Sequence, residues 1–383
     1  MRLRGGGDKI PAMAEPVLFG CVSGFLGAGK TTALAAAART LVARGLSVGL
    51  VANDQGRDLV DTAVFRGLGL PAAEIAGGCF CCRFDELVAE ADRLLAEHPV
   101  DVLLAEAVGS CTDLVATVYR PLRRFFPDQF RLAPFSVLVE PGRLGEMTDG
   151  GAHVPPDVSY LFGRQIAEAE LVVLTKVDLV GGEERRALRC ALGSMAPGVP
   201  VLETSAVSGL GVGEWVDLLL GEPSPASAAI EVDYERYARG EAALAWLNAA
   251  LQLRAARGLS PRGLGELLLV EIRERARGRG LFLPHVKILV ASSRGSARVA
   301  LTRADGSFDW SGDPDLPAEP GLSVILNARA ATSPEDLREV AAEAIAHAAR
   351  QLGAAFEVDR VECFSPPRPV PRHRLAAETP GGS

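Results

Sequence analysis

The stretch VLFGCVSGFLGAGKTTALAAAARTLVARG, residues 17–45, decides the fold. An apolar run of strand length passes through a glycine-rich turn into an alanine-rich segment with helical period. Gly24 to Thr31 satisfy the pattern G-x-x-x-x-G-K-[ST] between that strand and that helix, the context in which the pattern carries meaning. Gly24, Gly27 and Gly29 free the backbone around Ala28 to turn its N–H groups inward. The helix N-terminus, opening on Lys30, Thr31 and Thr32, adds partial positive charge where phosphates would sit. In such a loop the lysine reaches the β and γ phosphates and the threonine hydroxyl ligates Mg²⁺, which assigns those tasks to Lys30 and Thr31.

Outward from this turn, β-branched runs alternate with helix-period segments: SVGLVAND, VDVLLAEAV, FSVLVEP, LVVLTKVD and VPVLETSA. Strands apolar on both faces and separated by helices predict a mostly parallel sheet covered by helices on both faces, the α/β layered class. Three strand ends carry chemistry. LVVLTKVD closes on Thr175, Lys176 and Asp178, a T-K-x-D in which the Asp178 carboxylate suits the N1–H and exocyclic amine of guanine, a donor pair that adenine lacks. GTP is the nucleotide expected. Ser205 and Ala206, in ETSAVSGLG, fall where a second base-side loop is expected, although such turns are common. LLAEAVGS places Glu106 and Gly109 after a strand, where a carboxylate holds Mg²⁺ through water or orients the attacking water and a glycine N–H meets the γ phosphate. Asp54, ending VAND, is a further candidate beside Mg²⁺.

GGCFCC, residues 77–82, sets Cys79, Cys81 and Cys82 within four positions. Three adjacent thiolates suit a soft or borderline ion, Zn²⁺, Co²⁺ or Cu⁺, and leave one position open to water or a transferred ligand, which favours exchange over scaffolding. A redox pair of Cys79 and Cys82, part of an iron–sulfur site, and three buried thiols are the competing readings. Cys111 is a candidate fourth ligand in one nucleotide state. Cys190 and Cys363 lie in apolar sequence and are expected as small core residues. Seven cysteines, an odd number gathered largely at one place, do not describe a secreted disulfide framework, and a cytoplasmic protein is expected.

The chain has 383 residues, beyond the size at which one core usually stops growing, so two domains are expected. A net charge of −8 argues against a general affinity for nucleic acid or for anionic membranes, and no apolar run reaches the roughly 20 residues of a membrane span. Residues 1–15 read as a flexible tail in which Met13 offers a second start, 16–220 as the nucleotide domain, 221–230 as a Gly/Pro/Ser linker, 231–366 as a smaller domain and 367–383 as a flexible, Pro-rich tail, extended and exposed. Within the smaller domain, strands alternating with helices over SPRGLGELLLVEIRERARG and SPEDLREVAAEAIAHAARQLG predict an α+β layer, ferredoxin-like in order with an extra strand.

Taken together and in this order, GFLGAGKTT, GGCFCC, EAVG and TKVD resemble the CobW/HypB/UreG family of P-loop GTPases, in its CobW-like branch. The resemblance spans roughly the first 220 residues. It implies a GTPase that delivers or inserts a metal, with Cys79, Cys81 and Cys82 as metal ligands coupled to the nucleotide, Lys30 and Thr31 on phosphate and Mg²⁺, Glu106 as the Mg²⁺-side carboxylate and Asp178 as guanine reader. It also implies a client metalloprotein or cofactor-biosynthesis enzyme and a nucleotide-dependent homodimer. A GTP-gated assembly factor that transfers no metal is the alternative function. The sequence departs from the family pattern in NDQG at 53–56, in Thr175 for asparagine, and in having no His-rich tract.

Overall fold

The computed structural model describes residues 15–54, 65, 67–148, 153–225, 230–301 and 308–376. The chain forms two sheets, each with its own layer of helices. The first is parallel in the order β3-β2-β4-β1-β6-β7-β8, with the short β5 also paired to β1. Its strands are β1 (Val17–Ser23), β2 (Val48–Asp54), β3 (Ala72–Ala76), β4 (Val102–Glu106), β5 (Phe130–Leu132), β6 (Ser136–Val139), β7 (Leu171–Leu174) and β8 (Val201–Glu203). The central strands β1, β4, β6 and β7 are buried almost throughout, as a sheet covered on both faces requires. The P-loop NTPase fold read from the sequence is therefore present, with two strands, β3 and β5, that the hydrophobic pattern alone did not disclose. They are short edge or side elements, and AAEIA lacks the β-branched density that marked the others.

Helix α1 (Lys30–Ala43) leaves the glycine turn after β1 and buries its alanine-rich face, Ala33, Leu34, Ala37, Ala38 and Leu41. Gly24, Gly27 and Gly29 all take positive φ, and a Cβ on Gly24 would stand 2.2 Å from the Leu138 carbonyl oxygen. No other residue fits that approach of the turn to β6. Helix α2 (Phe84–Glu97) follows the cysteine stretch and turns Phe84, Leu87, Val88, Ala91 and Leu94 to the core. That stretch lies after β3 rather than directly after β2.

The second sheet is antiparallel, in the order β12-β11-β10-β13-β9-β14. Its strands are β9 (Leu244–Leu259), β10 (Phe282–Ser292), β11 (Gly295–Leu301), β12 (Phe308–Gly312), β13 (Glu319–Ala331) and β14 (Ala355–Phe364). Strands β9, β10, β13 and β14 with the helices Pro261–Gly278 and Pro334–Leu352 make the ferredoxin-like unit, and the β11–β12 pair is the addition. One sheet face carries Leu247, Leu251, Leu253, Ile288, Val290, Val324 and Leu326 and packs under the two helices. The period-2 alternation sends Trp246, Asn248, His285, Lys287, Arg298, Asn327 and Arg329 to the opposite face. That polar face meets the first domain.

Two expectations change here. Cys190 is exposed on the helix Gly182–Met195, which buries only Leu192, and Cys363 is half-buried on the edge strand β14, so neither is a core residue. Residues 367–376, expected in a flexible tail, are extended but tied down against the first domain, as described below. Among the described residues no helix is long and apolar enough to cross a membrane.

Candidate functional site

A cavity of about 360 Å³ opens at the C-terminal ends of β1, β2, β4 and β7, where ligands of open α/β sheets are received. The glycine turn supplies its floor. Lys30 is buried and its Nζ donates to the Gly24 carbonyl at 2.8 Å, which curls the ammonium over the loop. The Thr31 hydroxyl donates to Glu106 Oε1 at 3.0 Å. The hydroxyl and carboxylate expected beside Mg²⁺ are thus brought together from α1 and β4. Gly109 lies so close that a Cβ there would stand 3.1 Å from Lys30 Nζ. Mg²⁺ has a fitting donor set in this pair, and a polyphosphate has one in the cradle that Gly24 keeps open.

On the far side, Thr175 is buried, and its hydroxyl donates to the Ala28 carbonyl at 2.9 Å and lies 3.2 Å from the Val139 carbonyl. Its side chain therefore joins the end of β7 to the glycine turn. Lys176 takes a left-handed φ of 53° and aims its ammonium at Asp309 Oδ2, 2.9 Å away. Asp178 is exposed and lines the cavity with Ala206. Ser205 is buried, its N–H donating to the Leu210 carbonyl and its Oγ accepting from Ser208 N–H. Asp54 ends β2, and its side chain lies outside the described residues, as do residues 55–64 of the expected switch segment.

Cys79, Cys81 and Cys82 form a second centre beside this one. Their sulfurs are 2.9 Å (Cys79 to Cys81), 3.2 Å (Cys79 to Cys82) and 3.8 Å (Cys81 to Cys82) apart, with Cys79 and Cys81 buried. All seven cysteines are free. Hydrogen bonds from Cys111, Cys81 and Cys82 hold the Cys79 thiol well below its ordinary range. Cys81 is pushed well up by its hydrogen bond to Cys79, and Cys82 to about 11 by the same contact. The buried Cys111 is a further hydrogen-bond partner of Cys79. Three sulfurs this close suit a thiophilic ion that displaces their protons.

Asn53 joins the two centres. It is buried at the end of β2, lines the cavity, and donates from Nδ2 to the Ile75 carbonyl (3.0 Å) and the Gly78 carbonyl (2.7 Å) while Oδ1 accepts from Phe80 N–H (3.0 Å). Gly78 and Phe80 flank Cys79. One amide therefore fixes the thiol loop from the wall of the cavity.

Residues 19–203 match the family model described as CobW/HypB/UreG, nucleotide-binding domain. The N-terminal domain is similar to the CobW/HypB/UreG family over that range. Two curated relatives named Zinc chaperone CobW are similar to the chain. That of Sinorhizobium sp is 29% identical over 246 residues, 56% of this chain and 66% of the relative. That of Pseudomonas aeruginosa is 27% identical over 223 residues, 48% of this chain and 55% of the relative. The matches thus span less than two thirds of either relative. A solved structure, the Zn(II)-bound YjiA GTPase of E. coli, is 14% identical, covering 87% of this chain and 99% of its own, with a TM-score of 0.35.

Beyond the family's domain, sequence reasoning missed what closes the cavity. The polar face of the second sheet roofs it, with Lys287, Arg298, Asp309 and Arg329 among the lining residues. Lys287 Nζ lies 3.5 Å from Thr31 Oγ1, and Arg298 Nη2 donates to Thr32 Oγ1 at 3.1 Å. A period-2 reading of HVKILVAS and ARVALTR places Lys287 and Arg298 off the apolar face, but nothing in the sequence says what that face meets.

The thiol loop has its own cover. Val370 N–H donates to Cys82 Sγ at 3.3 Å, and Arg372 N–H to the Cys81 carbonyl at 2.8 Å. Arg374 pairs with Asp113 at 2.7 Å and Arg372 with Asp85 at 3.0 Å, while the His373 ring packs 5.2 Å from both Phe84 and Phe125. These contacts make residues 370–375 a strap across the cysteines.

Proposed function

We propose that the chain is a GTP-hydrolysing metallochaperone that holds Zn²⁺ or Co²⁺ on Cys79, Cys81 and Cys82 and hands it to a client metalloprotein or cofactor-biosynthesis enzyme. The observation that carries the proposal is Asn53. Its amide gives a nucleotide cavity and a thiol loop one shared wall, so a change on one side alters the geometry of the other. The match of residues 19–203 to the family model and the two similar proteins named as zinc chaperones support the same reading.

In this reading the glycine turn and Lys30 hold the β and γ phosphates, Gly109 backs the γ phosphate, and Asp178 with Ser205 and Ala206 receives guanine. Thr31 and Glu106 would hold Mg²⁺, which neutralises phosphate charge when bound. Glu106 and Asp54 are the carboxylates available to orient water. Thr175 does not face the base but ties the base-side turn to the phosphate turn, which offsets the absent asparagine by positioning rather than by contact. Metal is the cargo, and its release requires that the thiols bind it unequally in the two nucleotide states.

The test is direct. Zn²⁺ affinity of the purified chain, measured with a chromophoric chelator as competitor, should differ at least fivefold between GDP and a non-hydrolysable GTP analogue, the lower edge of ordinary coupling. Equal affinities would leave a nucleotide switch with an uncoupled metal site and end the proposal.

A further inference from the structure

The roof of the cavity carries charge supplied by the second domain. Lys287 on β10 and Arg298 on β11 project from the face opposite the helices. Arg298 is only 7% exposed, and its Nε is fixed by the hydroxyl of Ser311, its register partner on β12, at 2.9 Å. Its other end reaches Thr32, and Lys287 reaches Thr31. Both cations therefore lie against the first turn of α1, which already presents partial positive charge and the Lys30 ammonium. Among the described residues, five basic side chains, Lys30, Lys176, Lys287, Arg298 and Arg329, line the cavity with three acidic ones, Glu106, Asp178 and Asp309. This surplus of positive charge favours an anionic ligand in the cavity. Lys176 pairs with Asp309, and Arg329 stacks on Trp246 at 3.9 Å and bonds the Leu247 carbonyl.

We propose that Arg298 and Lys287 bind the phosphates of the nucleotide seated on the first domain, so that the second domain supplies part of the nucleotide site. This rests on the reading of the cavity as a guanine-nucleotide site. An arginine and a lysine on one rigid, antiparallel pair of strands span the phosphate chain from above while the glycine turn holds it from below. The second domain is then a clamp that senses whether a nucleotide is present.

The experiment uses the full chain and a fluorescent N-methylanthraniloyl GDP, with the corresponding imido analogue of GTP, both with Mg²⁺. Arg298→Gln and Lys287→Gln keep a polar side chain able to hydrogen-bond but shorten it and remove its charge, and each should weaken binding about tenfold, the loss of one charge-assisted contact. Arg294→Gln, at the turn of the same hairpin where Arg294 meets Glu319, should bind as the unaltered chain does. Thermal melting shows that the variants are folded, and the two substitutions stand independently should one of them fail to fold. Affinities for both phosphate-bearing probes unchanged in the folded variants would overturn the inference while leaving the nucleotide site intact. An unaltered chain that binds neither probe would instead remove the reading beneath it.

Discussion

At the scale of single residues, Asn53 carries more than its place in the sequence announces. A short polar side chain at a strand end is ordinarily a turn former. Here both ends of its amide are used to hold the backbone on either side of Cys79. Asn53→Ala leaves the Phe80 N–H and the Gly78 carbonyl without that partner, and should cost about 1–3 kcal/mol in thermal or denaturant unfolding. More tellingly, Zn²⁺ affinity in Asn53→Ala should lose its dependence on which nucleotide is bound, with nucleotide affinity itself changed far less. Retention of the full nucleotide effect on Zn²⁺ would mean that the coupling runs elsewhere.

Glu168 is the residue-scale feature with a pH signature. It is fully buried after the helix Pro156–Ala167, accepts from Thr112 Oγ1 at 3.1 Å and from Val115 N–H at 3.2 Å, and burial followed by the nearby Asp113 raises its carboxyl from 4.5 to about 8. Because the folded chain keeps this proton where the unfolded chain has lost it, the contribution to stability is full below about 4.5 and is lost as pH rises through about 8. Glu168→Gln, which resembles the protonated form, should flatten the fall in melting temperature across that window and be the more stable protein at its upper end. An identical pH profile for both proteins would show that Glu168 is charged when folded.

At the scale of elements, the strap is the feature whose role follows from its anchors. Pro366, Pro367, Pro369 and Pro371 stiffen the segment in an extended form, which lowers the entropy lost when it docks. Three backbone N–H groups, two arginine–aspartate pairs and one histidine between two phenylalanines then fix it over the thiol loop. The strap must yield for a reagent to reach the cysteines beneath it. A chain ending at Pro366, and the milder Arg374→Ala, should raise the alkylation rate of Cys82 by iodoacetamide severalfold, since an exposed ion pair holds only about 1 kcal/mol but this one is buried on its Asp113 side. Equal alkylation rates in all three proteins would mean that the strap does not limit access.

At the scale of the whole molecule, the two domains are joined at more than the linker. The roof over the cavity and the strap over the thiols both belong to the chain that follows residue 230, so one rigid rotation of the second domain would act on both centres together. The binding test of Arg298 and Lys287 reports on the roof, and the alkylation test reports on the strap. Alkylation measured with and without nucleotide would show whether the two move as one body. Coupling through domain motion and coupling through Asn53 are thus separable by experiment.

What the sequence by itself determined was everything that rests on local chain geometry. The glycine turn between strand and helix, the T-K-x-D end of a buried strand and three thiols in four positions are readable because neighbours in sequence are there neighbours in space. The same holds for the ferredoxin-like order of the second domain, which follows from alternating periods. The tertiary structure alone decided which distant faces meet. That Lys287 and Arg298 stand over α1, that Asn53 holds the thiol loop, that residues 370–375 cover it, and that Cys190 lies outside the core all depend on packing between segments far apart in the chain. Hydrophobic periodicity says which face of an element is buried, and burial is non-directional, so it does not say against what.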